Sequence, residues 1–266
     1  AGAALRREAE SRARADAASF AATVGEIADR ASESLALLAA DPDIQSLLSE
    51  SSVDPARSAR AARRVQTLFS RDNREAEGSV LGLRGSPTLT PGGAAADRDP
   101  EVYGSWGLFR LLRERPGDLA VLGRRGTAED GETTILSLAR TVAAPGGEIL
   151  GYAVADLRRS ALVRAAERSR IPAGAEVLDP RGNVVFDLAD PGREGYFEDE
   201  LAPWNSGGGP APEAPVPGAA SGYRVRIALP AGLYEGFDRT ARTVAGLGLL
   251  GSVLVASALA ITASRA

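Results

Sequence analysis

The sequence predicts an α+β fold: a long N-terminal helix, two sets of antiparallel strands, and one membrane-crossing helix at the end. Three observations carry this reading. From Phe20 to Leu38 apolar residues recur at three- and four-residue steps, the spacing of a helix with one buried stripe. From Gly78 onward the pattern changes to short runs separated by Gly- and Pro-rich turns, the mark of strands. Finally, Thr243 to Ser264 is an uncharged, mostly apolar run of 22 residues. As a helix it measures about 33 Å, enough for a hydrocarbon core of about 30 Å.

The first helix is expected over Ala1 to Ala40, with Phe20, Val24, Ile27, Ala31, Leu35 and Leu38 on the apolar stripe. A helix this long and this narrowly apolar packs along a domain or pairs with a partner helix. Asp41-Pro42-Asp43 breaks it and starts a short turn with Ile44, Leu47 and Leu48 inward. A second helix is predicted from Pro55 to about Asn73, with Asp54 as N-cap and Val65, Leu68 and Phe69 as its apolar face. Its arginines (Arg57, Arg60, Arg63, Arg64) read as a solvated face or, alternatively, as a patch for phosphate or an acidic partner.

Ser79 to Leu83 is the first expected strand, followed by an edge or loop over Ser86 to Pro91. A short helix is expected near Trp106 to Arg113, ended by Pro116-Gly117. Three strands follow, Leu119 to Leu122, Thr133 to Ala143 and Glu148 to Leu157, the last two joined as a hairpin through Pro145-Gly146-Gly147. Arg158 to Arg170 reads as a helix, and Ile171-Pro172-Ala173-Gly174 as a boundary. Glu176 to Leu178 and Asn183 to Leu188 form a second hairpin around Asp179-Pro180-Arg181-Gly182. Gly207 to Ala220 is expected to be a mobile Gly/Pro/Ala-rich loop, and Tyr223 to Leu229 a half-buried strand.

In the membrane run, Gly246, Gly248 and Gly251 with Ser252 and Ser257 allow close helix–helix approach, or simply reflect a Gly/Ala-rich composition. A buried core helix is the alternative reading of the run itself. Arg239 and Arg242 before it and Arg265 after it do not fix its orientation. The chain does not open on Met, and Ala1 to Ala15 has no apolar signal-peptide core, so a trimmed start is expected.

Composition narrows the function classes. There is no His, Cys or Met, and all 31 basic residues are Arg. A Ser-His or Cys-His pair, a Schiff-base lysine and a P-loop lysine are therefore impossible, as is a zinc site with nitrogen or sulfur ligands. No enzyme activity, metal or cofactor is expected. With a net charge of -4, nothing in the overall balance points to nucleic acid.

The order of elements resembles the double Cache sensor domain, the extracytoplasmic module of bacterial sensor histidine kinases and chemoreceptors. The residues that carry the resemblance are ILSLARTVAAPGGEILGYAVADL (Ile135 to Leu157), similar to the family's paired central strands, and AEVLDPRGNVVFD (Ala175 to Asp187), similar to the hairpin that opens its smaller subdomain. YGSWGLFRLL (Tyr103 to Leu112) falls where the family places an aromatic-bearing helix over the ligand. The resemblance implies four parts. They are the long helix and short following helix (1–50), a membrane-distal PAS-like subdomain (51–170), a membrane-proximal one (171–241) and the transmembrane helix (242–265).

It also implies ligand sensing, with candidates Tyr103, Trp106, Arg110, Arg140, Tyr152 and Asp156. In family members that bind amino acids, Arg and aromatic groups hold the carboxylate and an Asp holds the amine, which suits the bidentate geometry of Arg. In that pattern an Arg precedes a Trp-aromatic pair, whereas here Arg110 follows Trp106. The ligand is thus a small molecule of open identity, with an amino acid or organic acid among the options.

Each candidate has a plainer role beside it. Asp156 is equally an N-cap for the helix beginning at Arg158, Trp106 core, Arg110 a solvated side chain and Arg140 a salt-bridge partner. Tyr152 depends on which strand face turns inward. The leading expectation is the sensor region of a membrane-bound, homodimeric two-component histidine kinase. The alternatives are a chemoreceptor or cyclase-linked receptor, or a non-binding dimerisation or adaptor membrane protein.

Overall fold

The computed structural model describes residues 2–49, 54–71, 75–83, 88–90, 93–95, 107–127, 133–172, 174–191 and 211–227. Helix α1 (Gly2–Ala39) runs the length the periodicity predicts. Its stripe of Phe20, Val24, Ile27, Ala31, Leu35 and Leu38 is fully buried. Proline ends it, because the residue before a proline is pushed out of helical geometry. Asp41 then caps α2 (Pro42–Ser49), accepting the N–H groups of Asp43 and Ile44 at 3.0 and 3.2 Å. Ile44, Leu47 and Leu48 point inward.

Helix α3 (Pro55–Gln66) opens as expected, with the Asp54 carboxylate accepting the Ala56 N–H at 2.9 Å and proline in the first turn. It loosens into a π-helical turn at Thr67–Arg71 rather than continuing as α-helix. Leu68 and Phe69 of that turn remain buried. Three of the α3 arginines have local partners. Arg57 and Arg60 reach Asp43 at 3.9 and 3.1 Å, and Arg64 reaches Asp41 at 3.6 Å. That pairing stitches α3 to α2, and Arg60, Arg63 and Arg64 lie exposed, as a solvated face requires.

Two antiparallel sheets follow. The larger holds β1 (Ala76–Gly82), β2 (Thr88–Thr90), β3 (Gly93–Ala95), β4 (Ala120–Thr127), β5 (Thr133–Ala143) and β6 (Ile149–Arg158), in the order β3-β2-β1-β6-β5-β4. The smaller holds β7 (Ala175–Leu178), β8 (Val184–Asp187), β9 (Glu213–Pro215) and β10 (Arg224–Ile227), in the order β8-β7-β10-β9. Helix α4 (Gly107–Glu114) precedes β4, and α5 (Arg159–Arg168) joins the two sheets. This is the expected α+β arrangement.

Both sheets share a core with α1. Leu138, Val142, Ala153 and Ala155 from the larger sheet and Val177, Ala214 and Val225 from the smaller belong to one apolar cluster with the α1 stripe. Phe20 of α1 meets Phe186 of β8 with ring centroids 6.2 Å apart. A polar contact adds to this apolar one. The Asp29 carboxylate on α1 accepts the N–H of Ala219, in the 3-10 turn Gly218–Ala220, at 2.6 Å. Gly218 suits the spot because its φ is +69° and a side chain there would run into that carboxylate.

Residues 211–220 correct the expectation of a mobile loop. Glu213–Pro215 pairs with β10 as an edge strand, and Gly218–Ala220 forms the turn just described. Prolines are tolerated there because an edge strand needs donors on one side only. Residues 207–210 lie outside the described residues, as does the expected membrane run Thr243 to Ser264. Among the described residues no helix is long and apolar enough to cross a membrane.

The smaller sheet also holds charges that strand alternation alone places at a half-wet surface. Register aligns Asp187, Glu176, Arg226 and Glu213 across its four strands. Of these, the Glu176 and Arg226 side chains are 2% and 11% exposed, joined by an Nε–H···O bond of 2.6 Å.

Candidate functional site

The larger sheet presents two faces. One packs on α1. The other carries α4, whose Leu108, Phe109 and Leu112 are buried against Leu81, Ala120, Ala139, Tyr152 and Val154. Those sheet residues share a face because directly opposed residues of antiparallel strands point the same way and alternate along each strand. Register sets Leu81, Tyr152 and Thr141 in one row and Val80, Ala153 and Arg140 on the opposite face.

Tyr152 therefore turns toward α4, where its ring stacks on Phe109 with centroids 4.4 Å apart and planes 29° apart. Burial pushes its phenol above the ordinary range, partly offset by the nearby Arg113 guanidinium. The orientation that sequence left undecided is thus inward, under the helix.

Two residues further along the same face comes Val154, then Asp156, level with Glu77 on β1 and Ser137 on β5. The buried Ser137 hydroxyl donates to the Asp156 carboxylate, and Glu77 is ion-paired to Arg158. Leu122 of β4 completes this row opposite Ser137. The N-cap reading of Asp156 is corrected by this placement. Helix α5 starts at Arg159 behind Arg158, with no side-chain cap, and Asp156 remains within β6. The strand continues past Asp156 because Leu157 and Arg158 still pair with β1 and β5.

The other candidates part from this face. Arg140 lies on the α1 side, level with Ala153, and its buried Nε has no hydrogen-bond partner among the described residues. Arg110 is exposed on α4 beside the exposed Leu111. Tyr103 and Trp106 lie outside the described residues. Of the six, Tyr152 and Asp156 are brought together. Sequence reading missed Ser137, Glu77 and Phe109 as their neighbours. Strand alternation pairs Ser137 with Thr141 rather than Arg140, and that signal was available.

The arrangement is an apolar, aromatic-lined floor beside a polar row of a hydroxyl and two carboxylates. Because the Ser137 hydroxyl already donates to Asp156, what such a row can offer is acceptor oxygens. Among the described residues no cluster of three or more acidic groups suits a metal ion.

No protein-family profile matches the sequence, and no curated protein matches it. Solved structures do. The ligand-binding domain of the Pseudomonas aeruginosa amino acid chemoreceptor PctC, in complex with GABA, superposes with a TM-score of 0.58 at 17% identity, covering 84% of this chain and 100% of that one. The ligand-binding domain of the Pseudomonas fluorescens chemoreceptor CtaA, with L-valine, gives 0.61 at 13% identity, covering 85% and 99%. That of the Campylobacter jejuni chemoreceptor Tlp3, also with L-valine, gives 0.56 at 13%, covering 88% and 97%. The chain has the fold of these Cache-type sensor domains over nearly the whole of each.

Proposed function

We propose that this chain is the extracytoplasmic small-molecule sensor region of a membrane-bound receptor, anchored by Thr243 to Ser264 and working as a homodimer. The output is a two-component histidine kinase in this reading. One observation carries the sensor assignment. The larger sheet turns a buried aromatic, Tyr152, and a polar row, Ser137, Asp156 and Glu77, to the face covered by α4. A fold shared with chemoreceptor sensor domains supports it. Residues 51–170 are the membrane-distal subdomain that binds the ligand, and 171–241 the membrane-proximal one.

The ligand is held by Asp156, with Tyr103, Trp106 and Tyr152 as aromatic wall. Arg110 and Arg140 take no direct part in binding in this reading, one at the surface and one behind the sheet. The test is a thermal-shift screen of the purified chain against amino acids, organic acids, amines and sugars. A hit that Asp156→Ala abolishes and Arg110→Ala retains is the expected result. No hit in any class, with both variants behaving as the parent, sinks the assignment.

A chemoreceptor output is the second reading, favoured by the fact that these fold neighbours are chemoreceptor domains. The coding sequence beyond residue 266 separates the two, since a kinase module and a methyl-accepting module differ at sight.

A further inference from the structure

The molecule has a second junction, which shares only Leu122 with the polar row and otherwise lies outside the candidate site. It lies at two consecutive residues of the edge strand β4. Side chains of adjacent strand residues point to opposite faces. Leu122, opposite Ser137, lies on the outward face in the row of Asp156 and Glu77. It approaches the first turn of α4, where a methyl on Gly107 would sit 3.7 Å from Leu122 Cδ2.

Gly123, opposite Leu136, faces the other way, into the seam with the smaller sheet. A side chain there would collide with Val185 of β8, so only glycine lets the two sheets close to this distance. The hydroxyl of Tyr223, just before β10, lies beside the same glycine, 4.0 Å from where a β-carbon on Gly123 would stand, and Tyr223 is itself buried. One peptide unit thus touches the helix over the candidate site on one side and the smaller sheet on the other. Just beyond it, between Gly123 and Gly126, the β4–β5 register slips. Such a bulge bends a strand locally and re-aims the residues beside it. Elsewhere the larger sheet meets α1 through apolar side chains such as Leu138, Val142 and Ala153, an interface of the kind that shears in small steps.

We infer that β4 couples the two sheets, with Leu122–Gly123 as the contact through which displacement of α4 reaches Val185 and Tyr223. The inference rests on the sensor reading, in which α4 moves when the site fills. A coupling of this kind is reciprocal. Loosening the smaller-sheet end must therefore loosen α4 without any ligand, and loosening the α4 end must loosen β10.

Amide hydrogen exchange on the whole chain tests this in both directions. Tyr223→Phe removes the hydroxyl at Gly123, and the expected result is exchange in Gly107–Glu114 faster by about two- to thirty-fold. Phe186→Leu, which disturbs the smaller sheet where it meets Phe20 of α1, is expected to leave α4 at the parent rate. In the reverse direction, Leu122→Ala is expected to speed exchange in Arg224–Ile227.

The inference is overturned if Tyr223→Phe leaves α4 unchanged, or if Phe186→Leu speeds α4 to the same extent. If Tyr223→Phe fails to fold, the Leu122→Ala arm decides in the same way. No ligand enters the experiment, so a blank ligand screen and absent cross-talk are separate failures.

Discussion

The Asp29 carboxylate accepts the N–H of Ala219 at 2.6 Å across 190 residues of chain, tying the long helix to the turn that leads into the last strand of the smaller sheet. A hydrogen bond to a charged group is worth about 1.5–3 kcal/mol. Asp29→Ala should lower the unfolding free energy from urea titration by that amount and move the midpoint down accordingly, while Asp29→Asn, which keeps an acceptor oxygen, should lose less. Equal midpoints for Asp29→Ala and the parent would show that the contact adds nothing.

Tyr223 gives a prediction at alkaline pH. Burial, with the nearby Asp179 adding to it, pushes the phenol far above its usual value, and the Gly123 backbone offsets only part. The unfolded chain ionises this group above about pH 10, while the fold keeps it neutral. Its contribution is complete below that pH and declines as pH rises toward the folded value. Tyr223→Phe should therefore cost about 1 kcal/mol at neutral pH and flatten the alkaline limb of the stability curve. Tyr152, shifted in the same direction by burial, leaves a residual slope. Denaturation series at successive pH values provide the check, and superimposable alkaline limbs would refute it.

Glu176 and Arg226 are an ion pair taken almost wholly out of water. Removing one partner leaves the other as a buried charge, a change that costs about 3–5 kcal/mol, whereas an apolar replacement of both is near neutral. Arg226→Leu should destabilise strongly, and adding Glu176→Leu should restore most of the loss. A double-mutant cycle in urea that came out additive would contradict this.

Arg140 predicts a gain. Its Nε is buried on the α1 side without a hydrogen-bond partner among the described residues, and an unsatisfied buried donor costs about 1–3 kcal/mol. Arg140→Met keeps the long stem and removes the donor, so the thermal midpoint should rise. Binding of any ligand found in the screen should be unaffected, because the residue lies behind the sheet. A lowered midpoint would mean that the guanidinium contributes through contacts of its own.

Much of this architecture was legible in the residues. The α1 stripe, the Asp41 and Asp54 caps, and the ends of β5 all follow from periodicity, proline and turn chemistry acting locally. What could not be read were properties of register. Whether Tyr152 or Ala153 faces α4 depends on which residue of β5 stands opposite, and one step of slip exchanges the faces. Asp156 resembled a cap because a helix starts soon after it, but strand pairing carries through Arg158 and holds it beside Ser137. Arg226 looked solvated by alternation, yet its partner Glu176 sits 50 residues earlier in the chain. The small edge strand was hidden because Pro-rich composition suggests disorder, and only pairing with β10 fixes it.

That edge strand has a consequence for how copies of the chain behave in concentrated solution. Ala214 is opposite Val225, and the ladder between β9 and β10 is closed by the Val216 N–H donating to Tyr223 O and the Ile227 N–H donating to Pro212 O. Alternation then leaves Glu213, Pro215 and, just beyond the strand, Pro217 turned outward. The two prolines have no N–H, and the remaining position carries a carboxylate. A strand from another molecule would find almost no donors to template on and a charge to desolvate, which are features that protect natural sheets from edge-to-edge aggregation. Among the described residues, the smaller sheet therefore ends at β9 on a border whose chemistry discourages a further strand.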